Sequence, residues 1–511
     1  SPEIIKKHNL MSRQEALSNI HFPENKKKLN DSIFRMKFEE LFFLQLSILN
    51  NKALNQKIKS YVFKDIGNNF NTFFKSLPFN LTEAQKKVVR EIRKDVLSGF
   101  KMNRLIQGDV GSGKTVVALM SLMMSIDNGF QCALMVPTSV LASQHYRTIT
   151  ALCDKLDFKI ALLTGSTKNV IKKQILFDLA NGEIDIIIGT HALIEDSVVF
   201  KKLGLVVIDE QHKFGVAQRA KLSQKSILSP HVIVLTATPI PRTLAMTFYG
   251  DLDVSIIDEL PPGRKEIKTV HKFDKDKEGV LSFIREKLEL GQQAYIIYPL
   301  IEESEKLDYK NLLSGFNYLS KYFLRYGFVV SMLHGKMKND EKNQQMEDFL
   351  NKKSHILVST TVIEVGLDVK NASIMLIENA ERFGLAQLHQ LRGRVGRGNT
   401  QSFCILKTPY ELSYEAKYRI NVLVDSCNGF DISEADLKLR GPGDIMGTRQ
   451  SGLLNLKISN LVKDADILVL ARRSVQALLA EGPGINNIKN KIIKEFFLRN
   501  YSEHIKWGRI S

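Results

Sequence analysis

Short runs of apolar residues alternate with longer amphipathic stretches between residues 103 and 262. The runs are rich in Val, Ile and Leu, and polar residues follow each of them. Runs of this kind are typical of strands that are buried on both faces of a parallel sheet, with helices as the connections. The predicted strands are one that ends at Leu105-Ile106, followed by Ala133–Val136, Lys159–Leu163, Asp185–Ile188, Leu205–Ile208 and Val232–Leu235.

The same alternation restarts after residues 259–264, whose Pro-Pro-Gly sequence predicts a linker because it continues neither a helix nor a strand. The strands predicted after it are Ala294–Tyr298, Val329–Leu333, Ile356–Ser359, Ile374–Ile377 and Phe403–Leu406. We therefore predict an α/β fold with two tandem parallel-sheet domains.

The two ends of the chain have a different pattern. Phe34, Phe38, Leu41 and Ile48 fall at helical spacing and predict a long packed helix, and Asp464–Leu479 predicts another. The predicted divisions are a helical segment at 1–75, a first α/β domain at 76–262, a second at 263–425 and a C-terminal region at 426–511.

The 511 residues carry a formal net charge of +17, from 72 basic and 55 acidic side chains. Such an excess favours a polyanionic partner, with nucleic acid first and an acidic membrane surface second. A basic surface that only aids solubility is the alternative, and the charge alone does not separate the three.

Cysteine usage and hydropathy exclude several classes of protein. The four cysteines have no C-x-x-C spacing, so neither a zinc site nor a disulfide framework is expected, and the low count fits a reducing cytoplasm. No apolar run is long enough to span a membrane, and the first residues lack the apolar region of a signal peptide, so neither a membrane span nor a signal peptide is expected. The chain begins Ser1-Pro2 without Met, so we expect a processed or cloned fragment.

Residues 108–115 fit the phosphate-loop pattern G-x-x-x-x-G-K-[ST] between a predicted strand and a predicted helix. Glycines let successive backbone N–H groups surround a phosphate, Lys114 adds a positive charge, and the Thr115 hydroxyl is a ligand for Mg²⁺. The predicted cofactors are ATP and Mg²⁺. The predicted nucleotide ligands are Gly108, Gly111, Ser112, Gly113, Lys114 and Thr115.

Two acids follow the apolar strand Leu205–Ile208. Asp209 is suited to hold Mg²⁺ through water, and Glu210 to orient and deprotonate the attacking water. They could instead be two surface acids on a loop, but a phosphate loop in the same predicted sheet favours the catalytic role.

Gln85 has two interpretations, which both stay open. With Thr82 it has the spacing of a helix capping box. Its amide, which has both donor and acceptor, could also read the adenine edge of a nucleotide.

Arg394 and Arg397 are three residues apart, so we expect them to share a helix face. A guanidinium group stabilises charge on a transferring phosphate, the role of an arginine finger. A basic surface helix or a DNA contact is the alternative. We favour the finger because the predicted nucleotide domain has none of its own.

Together these motifs resemble those of superfamily 2 helicases, which have two RecA-like lobes. The segments that carry the resemblance are 81–85, 137–145, 164–166, 189–193, 209–212, 236–244, 359–369 and 387–397. Residues 429–444 and 447–452 resemble a translocation motif shared by the RecG family and the transcription-repair coupling factor. Residues 20–23 and 38–42 favour the RecG family.

The resemblance implies an ATP-driven translocase of the 3'–5' type that remodels branched double-stranded DNA, such as stalled forks and Holliday junctions, in recombination and repair. It also implies single-stranded DNA-binding protein as a partner, and a monomer. The residues implied to hold DNA phosphates or to couple movement are Thr138, Thr164, Gly165, Thr190, His334, Gly335, Thr360, Arg440, Arg449 and Gln450. Thr361 and Glu364 also have capping-box spacing, so a structural role there stays open.

The RecG family has an N-terminal wedge domain with an OB-type fold, and no counterpart precedes His21. We therefore expect ATP hydrolysis to persist in this chain more readily than fork unwinding. The alternatives are the motor portion of a transcription-repair coupling factor, an ATP-dependent DNA-binding scaffold without motor action, and an RNA helicase. An RNA helicase would have a D-E-A-D motif, whereas residues 209–212 read D-E-Q-H.

Overall fold

The computed structural model describes residues 2–55, 57–210, 221–222, 224–237, 247, 252–261, 263–299, 305–360, 369–398, 400–445, 456–480 and 491–507. Two parallel sheets, each covered by helices on both faces, form the middle of the chain, and helices form both ends. The predicted fold class is confirmed. Among the described helices, none combines the length and the hydropathy needed to cross a membrane.

The first sheet is preceded by helices α1 Pro2–Lys7, α2 Arg13–His21, α3 Lys26–Asn55 and α4 Asn68–Ser76. Its strands are β1 Asn103–Gly108, β2 Gln131–Met135, β3 Ile160–Leu163, β4 Ile186–Gly189, β5 Leu203–Asp209, β6 His231–Thr236 and β7 Asp253–Ile257. The helices around it include α5 Glu83–Val96, α6 Lys114–Asp127, α7 Ser139–Leu152 and α8 Asn169–Asn181. One apolar core lies on each face of this sheet, which explains the continuous apolar strand sequences.

The second sheet has strands β8 Lys268–Phe273, β9 Gln293–Ile297, β10 Val330–Leu333, β11 Ile356–Ser359, β12 Ala372–Ile377 and β13 Phe403–Thr408. The helices described with it are α9 Lys277–Glu289, α10 Glu305–Leu324, α11 Asn339–Leu350, α12 Leu385–Arg392 and α13 Tyr414–Asp425. It also has a core on each face. We call each sheet with its covering helices an α/β unit.

The two units share one topology. The strand orders are β3-β4-β2-β5-β6-β1-β7 and β10-β11-β9-β12-β13-β8. The two orders match if β8 corresponds to β1, and β7 is then an additional strand at the edge of the first sheet. The sequence pattern missed β7 and β8. Both are edge strands, and β8 alternates exposed and half-buried residues, so neither shows a continuous apolar run.

The two ends of the described chain pack against each other. Helix α14 Gly429–Ile445 follows the second unit, and then come α15 Ala465–Ala480 and α16 Lys491–Trp507. Helix α3 lies along α15, and apolar residues of α3, α15 and α16 form one buried cluster. The Lys37 ammonium lies 2.7 Å from the Asp464 carboxylate. No pattern in the sequence indicates that these helices share a core.

Candidate nucleotide site between the two units

The phosphate loop predicted from the sequence connects the end of β1 to the start of α6. Gly111 and Gly113 have φ angles of +77° and +83°, in the left-handed region where a side chain is strained. A Cβ at Gly108 would lie 2.9 Å from the backbone oxygen of Ile257 on β7. Glycine is therefore required here both by the turn and by the neighbouring strand.

Lys114 is the first residue of α6 and folds back over the loop. Its Nζ donates to the carbonyl oxygens of Gly108 and Asp109, each over 2.7 Å. Burial lowers the pKa of Lys114 to about 8, although the charges of Asp209 and Glu210 oppose this shift. Lys114 therefore loses its positive charge at a lower pH than an exposed lysine does.

Gln85 forms the predicted capping box and also reaches the phosphate loop. Its Oε1 accepts from the Thr82 N–H over 2.9 Å, and the Thr82 hydroxyl accepts from the Gln85 N–H over 3.2 Å. The Nε2 of Gln85 donates to the carbonyl oxygen of Ser112 over 2.8 Å. The cap is confirmed, and adenine recognition stays a prediction.

Asp209 and Glu210 lie at the carboxyl end of β5, as predicted. The Asp209 Oδ2 lies 3.2 Å from Nε2 of His145, a residue of α7 that sequence reasoning did not single out. Burial raises the pKa of Asp209, but the His145 hydrogen bond and the charges of His145 and Lys114 outweigh burial and lower it overall. Glu210 has a φ of +54°, and strained backbone of this kind clusters at functional sites.

Arg394 and Arg397 do not share a helix face, so that prediction is wrong. Helix α12 ends at Arg392, Gly393 is its C-cap, and Gly396 has a φ of +79°. Arg394 therefore lies beyond the end of the helix, and the left-handed backbone at Gly396 stands between it and Arg397.

Arg394 nevertheless lies close to the acids of the first unit. It is only 4% exposed. Burial and the charge of Arg397 lower the pKa of Arg394 to about 10, although Glu210 and Asp209 oppose the shift. Its charge also acts on Lys114. Because such effects fall off with distance, an arginine of the second unit is near the phosphate loop of the first.

The phosphate loop also touches the second unit directly. His389 Nε2 of α12 lies 2.6 Å from Oδ1 of Asp109, and an Nη of Arg264 donates to the Val110 oxygen over 2.9 Å. A cavity of about 260 Å³ adjoins these contacts, and residues of both units and of α14 line it. Asp109 occupies a variable position of the loop motif, which is why sequence reasoning passed over it.

At the corresponding edge of the second sheet, Lys407 and Glu378 form an ion pair. Glu378 follows β12 as Asp209 ends β5, and the next residues, Asn379 and Glu210, have φ angles of +48° and +54°. The Lys407 ammonium lies 2.7 Å from the Glu378 carboxylate, with both side chains largely buried. The protein itself thus neutralises the acid at this edge, and no glycine-rich loop follows β8.

Of the predicted DNA contacts, two glycines are exposed in corresponding turns. Gly165 lies between β3 and α8, Gly335 lies between β10 and α11, and a Cβ at either would meet open space. Thr138 is half-buried and caps α7 by accepting the Leu141 N–H over 3.3 Å.

The other predicted contacts in these turns are buried. Thr164 Oγ1 lies 3.0 Å from Ser166 Oγ, and His334 is 8% exposed. The hydroxyls of Thr190 and Thr360 have no hydrogen-bond partner within the described ranges. These side chains therefore face the protein interior here.

The residues predicted to couple hydrolysis to movement lie in or after α14. Arg449 and Gln450 lie outside the described residues, as do 211–212 and 361–368. Arg440 lies within α14, and only its backbone is described.

Family models match three parts of the chain. The DEAD/DEAH box helicase model matches residues 82–247, and the helicase conserved C-terminal domain model matches 276–399. The model for ATP-dependent DNA helicase RecG, domain 3, C-terminal, matches 426–511.

Relatives that match nearly the whole of this chain are also named ATP-dependent DNA helicase RecG. An ATP-dependent DNA helicase RecG from Synechocystis is 48% identical over 97% of this chain and 60% of that protein. One from Bacillus subtilis is 48% identical over 94% of this chain and 70% of that protein. The chain thus spans three fifths or somewhat more of the length of these relatives.

Solved structures of other proteins have a similar fold. A structure of RecG bound to a three-way DNA junction has a TM-score of 0.74 at 44% identity, covering 92% of this chain and 61% of that one. A Mycobacterium smegmatis Lhr helicase structure has a TM-score of 0.53 at 17% identity, covering 71% of this chain and 50% of that one, and shares only the fold. The chain therefore belongs to the RecG family of ATP-dependent DNA helicases.

Proposed function

We propose that this chain hydrolyses ATP between its two units and uses the energy to move along double-stranded DNA and remodel branched DNA, such as stalled forks and Holliday junctions. The main support is the proximity of Arg394, from the second unit, to Glu210, Asp209 and Lys114 of the first. An arginine that reaches a phosphate loop from another unit makes turnover depend on how the two units are arranged.

The roles of the site residues follow from their chemistry. Lys114 and the loop N–H groups would hold the phosphates, and Glu210 would orient the attacking water. Thr115 and the ionised Asp209 suit Mg²⁺, which takes few protein ligands and would neutralise charge on the phosphates. The Ser112 hydroxyl, buried without a hydrogen-bond partner among the described residues, is a further polar group available to a ligand. Gln85 would read adenine, and Arg394 and Arg397 would stabilise the transferring phosphate.

DNA would lie across the exposed turns of both units. Gly165 and Gly335 precede helices α8 and α11, whose N-termini attract phosphate. Thr138 and Thr164 would add to these contacts. The buried Thr190, His334 and Thr360 would reach a phosphate only after a rearrangement. The coupling role of Arg440, Arg449 and Gln450 rests on the family resemblance.

The function is tested by ATP hydrolysis with duplex, single-stranded, forked and four-way DNA, and with RNA. We expect the strongest stimulation by forked and four-way DNA. Equal or stronger stimulation by RNA would favour the RNA helicase. Tight ATP binding with little hydrolysis, and indifference to Arg397→Ala, would favour the non-motor scaffold.

The location and the protein partner are proposed from cysteine usage and from the family resemblance. A cytoplasmic location fits four cysteines that are all free. Single-stranded DNA-binding protein as a partner, and the monomeric state, stay predictions from the family resemblance.

DNA affinity should fall steeply with salt. A protein that holds six to ten phosphates loses roughly 10³–10⁵ in affinity between about 50 and 200 mM salt, because bound counterions are released. Fluorescence anisotropy with a labelled four-way junction measures this slope. A flat salt dependence would contradict phosphate contacts as the main source of affinity.

Nucleotide affinity should fall as the pH rises above the lowered pKa of Lys114, about 8. The lysine that binds phosphate is protonated, so above this pKa each binding event must take up a proton, and affinity falls by roughly tenfold per unit at the limit. Titration with a fluorescent ATP analogue between about pH 7 and 9.5 measures it. Lys114→Arg stays charged throughout and should bind without this dependence.

A further inference from the structure

The Asp109 side chain connects three elements beside the phosphate loop. Its Oδ1 accepts from His389 Nε2 of α12 over 2.6 Å. Its Oδ2 accepts from the backbone N–H of Gly429, at the start of α14, over 3.3 Å. We call these three residues the Asp109 clasp. It joins the loop of the first unit to the helix that carries the translocation motif.

The hydrogen-bond partners of His389 fix which nitrogen carries the proton. Its Nδ1 lies 3.0 Å from an Nη of Arg392, and a guanidinium group only donates. Nδ1 is therefore the acceptor, and Nε2 carries the hydrogen that is donated to Asp109.

Arg392 fixes the position of His389 and of the turn that precedes α14. It donates to the carbonyl oxygens of Leu423 and Ser426 over 2.9 Å and 2.8 Å, and to that of Cys427 over 3.2 Å. These oxygens lie at the end of α13 and in the turn that leads to α14. His389 is thus fixed by the same arginine that holds the start of α14.

The carboxylate of Asp109 is suited to this position because it is an anion. Burial raises its pKa, but the hydrogen bond from His389, the Val110 N–H and the Lys114 charge outweigh burial and lower it overall. A negative charge at the N-terminus of α14 is stabilised by the helix dipole. Asparagine would keep the shape, but it has no charge and only one acceptor atom.

The backbone of Asp109 is hydrogen-bonded to Lys114, the residue proposed to hold the phosphates. Its carbonyl oxygen accepts from Lys114 Nζ over 2.7 Å. The next residue, Val110, packs on Gly393, where a Cβ would lie 2.6 Å from the Val110 Cβ. A shift of the loop around Lys114 would therefore move a side chain that is bonded to α12 and α14.

We infer that Asp109 is a positioning residue that transmits the state of the phosphate loop to α14. The inference rests on the proposed ATP-driven translocation. The connection is distinct from the paired arginines, since it starts in the first unit and reaches α14 through a single carboxylate.

The test compares how much junction is branch-migrated per ATP hydrolysed. Asp109→Asn should lower this ratio by at least about fivefold, the lower end of the usual range for coupling between sites. His389→Gln keeps an N–H donor and should retain the ratio, whereas His389→Ala should lose it. The double variant Asp109→Asn with His389→Ala should be no worse than either single one. Asp154→Asn, an exposed acid of the first unit, is the matched control.

A ratio unchanged in Asp109→Asn, or losses that add in the double variant, would overturn the clasp. Hydrogen–deuterium exchange over residues 426–436 gives a readout that needs no motor activity. We expect exchange there to be severalfold faster in Asp109→Asn and unchanged in Asp154→Asn. If the wild-type chain shows no DNA-stimulated hydrolysis, the proposed function fails, and the exchange comparison alone decides the clasp: equal exchange in the two variants overturns it.

Discussion

Replacing Glu210 with glutamine should lower DNA-stimulated ATP turnover by roughly 10²–10⁴-fold, the usual contribution of a general base. The substitution keeps the size of the side chain and removes its ability to accept a proton. Glu210 is suited to this effect because its backbone is held at a φ of +54° immediately after the half-buried Asp209. Steady-state hydrolysis with forked DNA measures the loss, and binding of a fluorescent ATP analogue shows whether the site still forms.

Two further variants show whether the loss of turnover in Glu210→Gln comes from catalysis rather than from nucleotide binding. Glu183→Gln changes an exposed acid in the same unit and should leave turnover at the wild-type level. Lys114→Ala should lose nucleotide binding as well as turnover, because it removes the charge beside the phosphates. If Glu210→Gln turned over ATP like Glu183→Gln, another residue would have to be the base.

Replacing Arg394 with alanine should lower turnover by about 10³–10⁵-fold, the range for a lost arginine finger. Arg394 is buried and lies near the charges of Glu210, Asp209 and Lys114, so its guanidinium would act where charge develops on the phosphate. Arg394→Lys should recover little, because an ammonium group lacks the planar fork of donors. Single-turnover hydrolysis separates this effect from nucleotide binding.

Arg147→Ala is the matched control for Arg394. Arg147 also reaches across to the second unit, where it lies 3.5 Å from Glu347, but its side chain is 69% exposed. An exposed pair of this kind contributes little, so turnover should stay near the wild-type level. Circular dichroism checks that Arg394→Ala remains folded. A folded Arg394→Ala protein with normal turnover would remove the main support for catalysis between the units.

The strands buried on both faces were predictable, because continuous apolar runs occur only where both sides are covered. The edge strands β7 and β8 were not, since half-exposed strands have no such run. The phosphate loop was predictable because glycine is needed at Gly111 and Gly113 for backbone reasons that are local. The helical face shared by Arg394 and Arg397 was predicted wrongly, because the spacing was considered without Gly393, which precedes Arg394, and Gly396, which lies between the two arginines.

The sequence alone determined the two sheets, the phosphate loop, the acids at the end of β5 and the family resemblance. Each of these depends on residues that are neighbours along the chain, so a short pattern carries the information. Only the tertiary structure decided that Asp109 meets His389 and Gly429, 280 and 320 residues further along, and that α3 shares a core with α15. Such contacts depend on how complete units pack together, and no local period of apolar or charged residues records that arrangement.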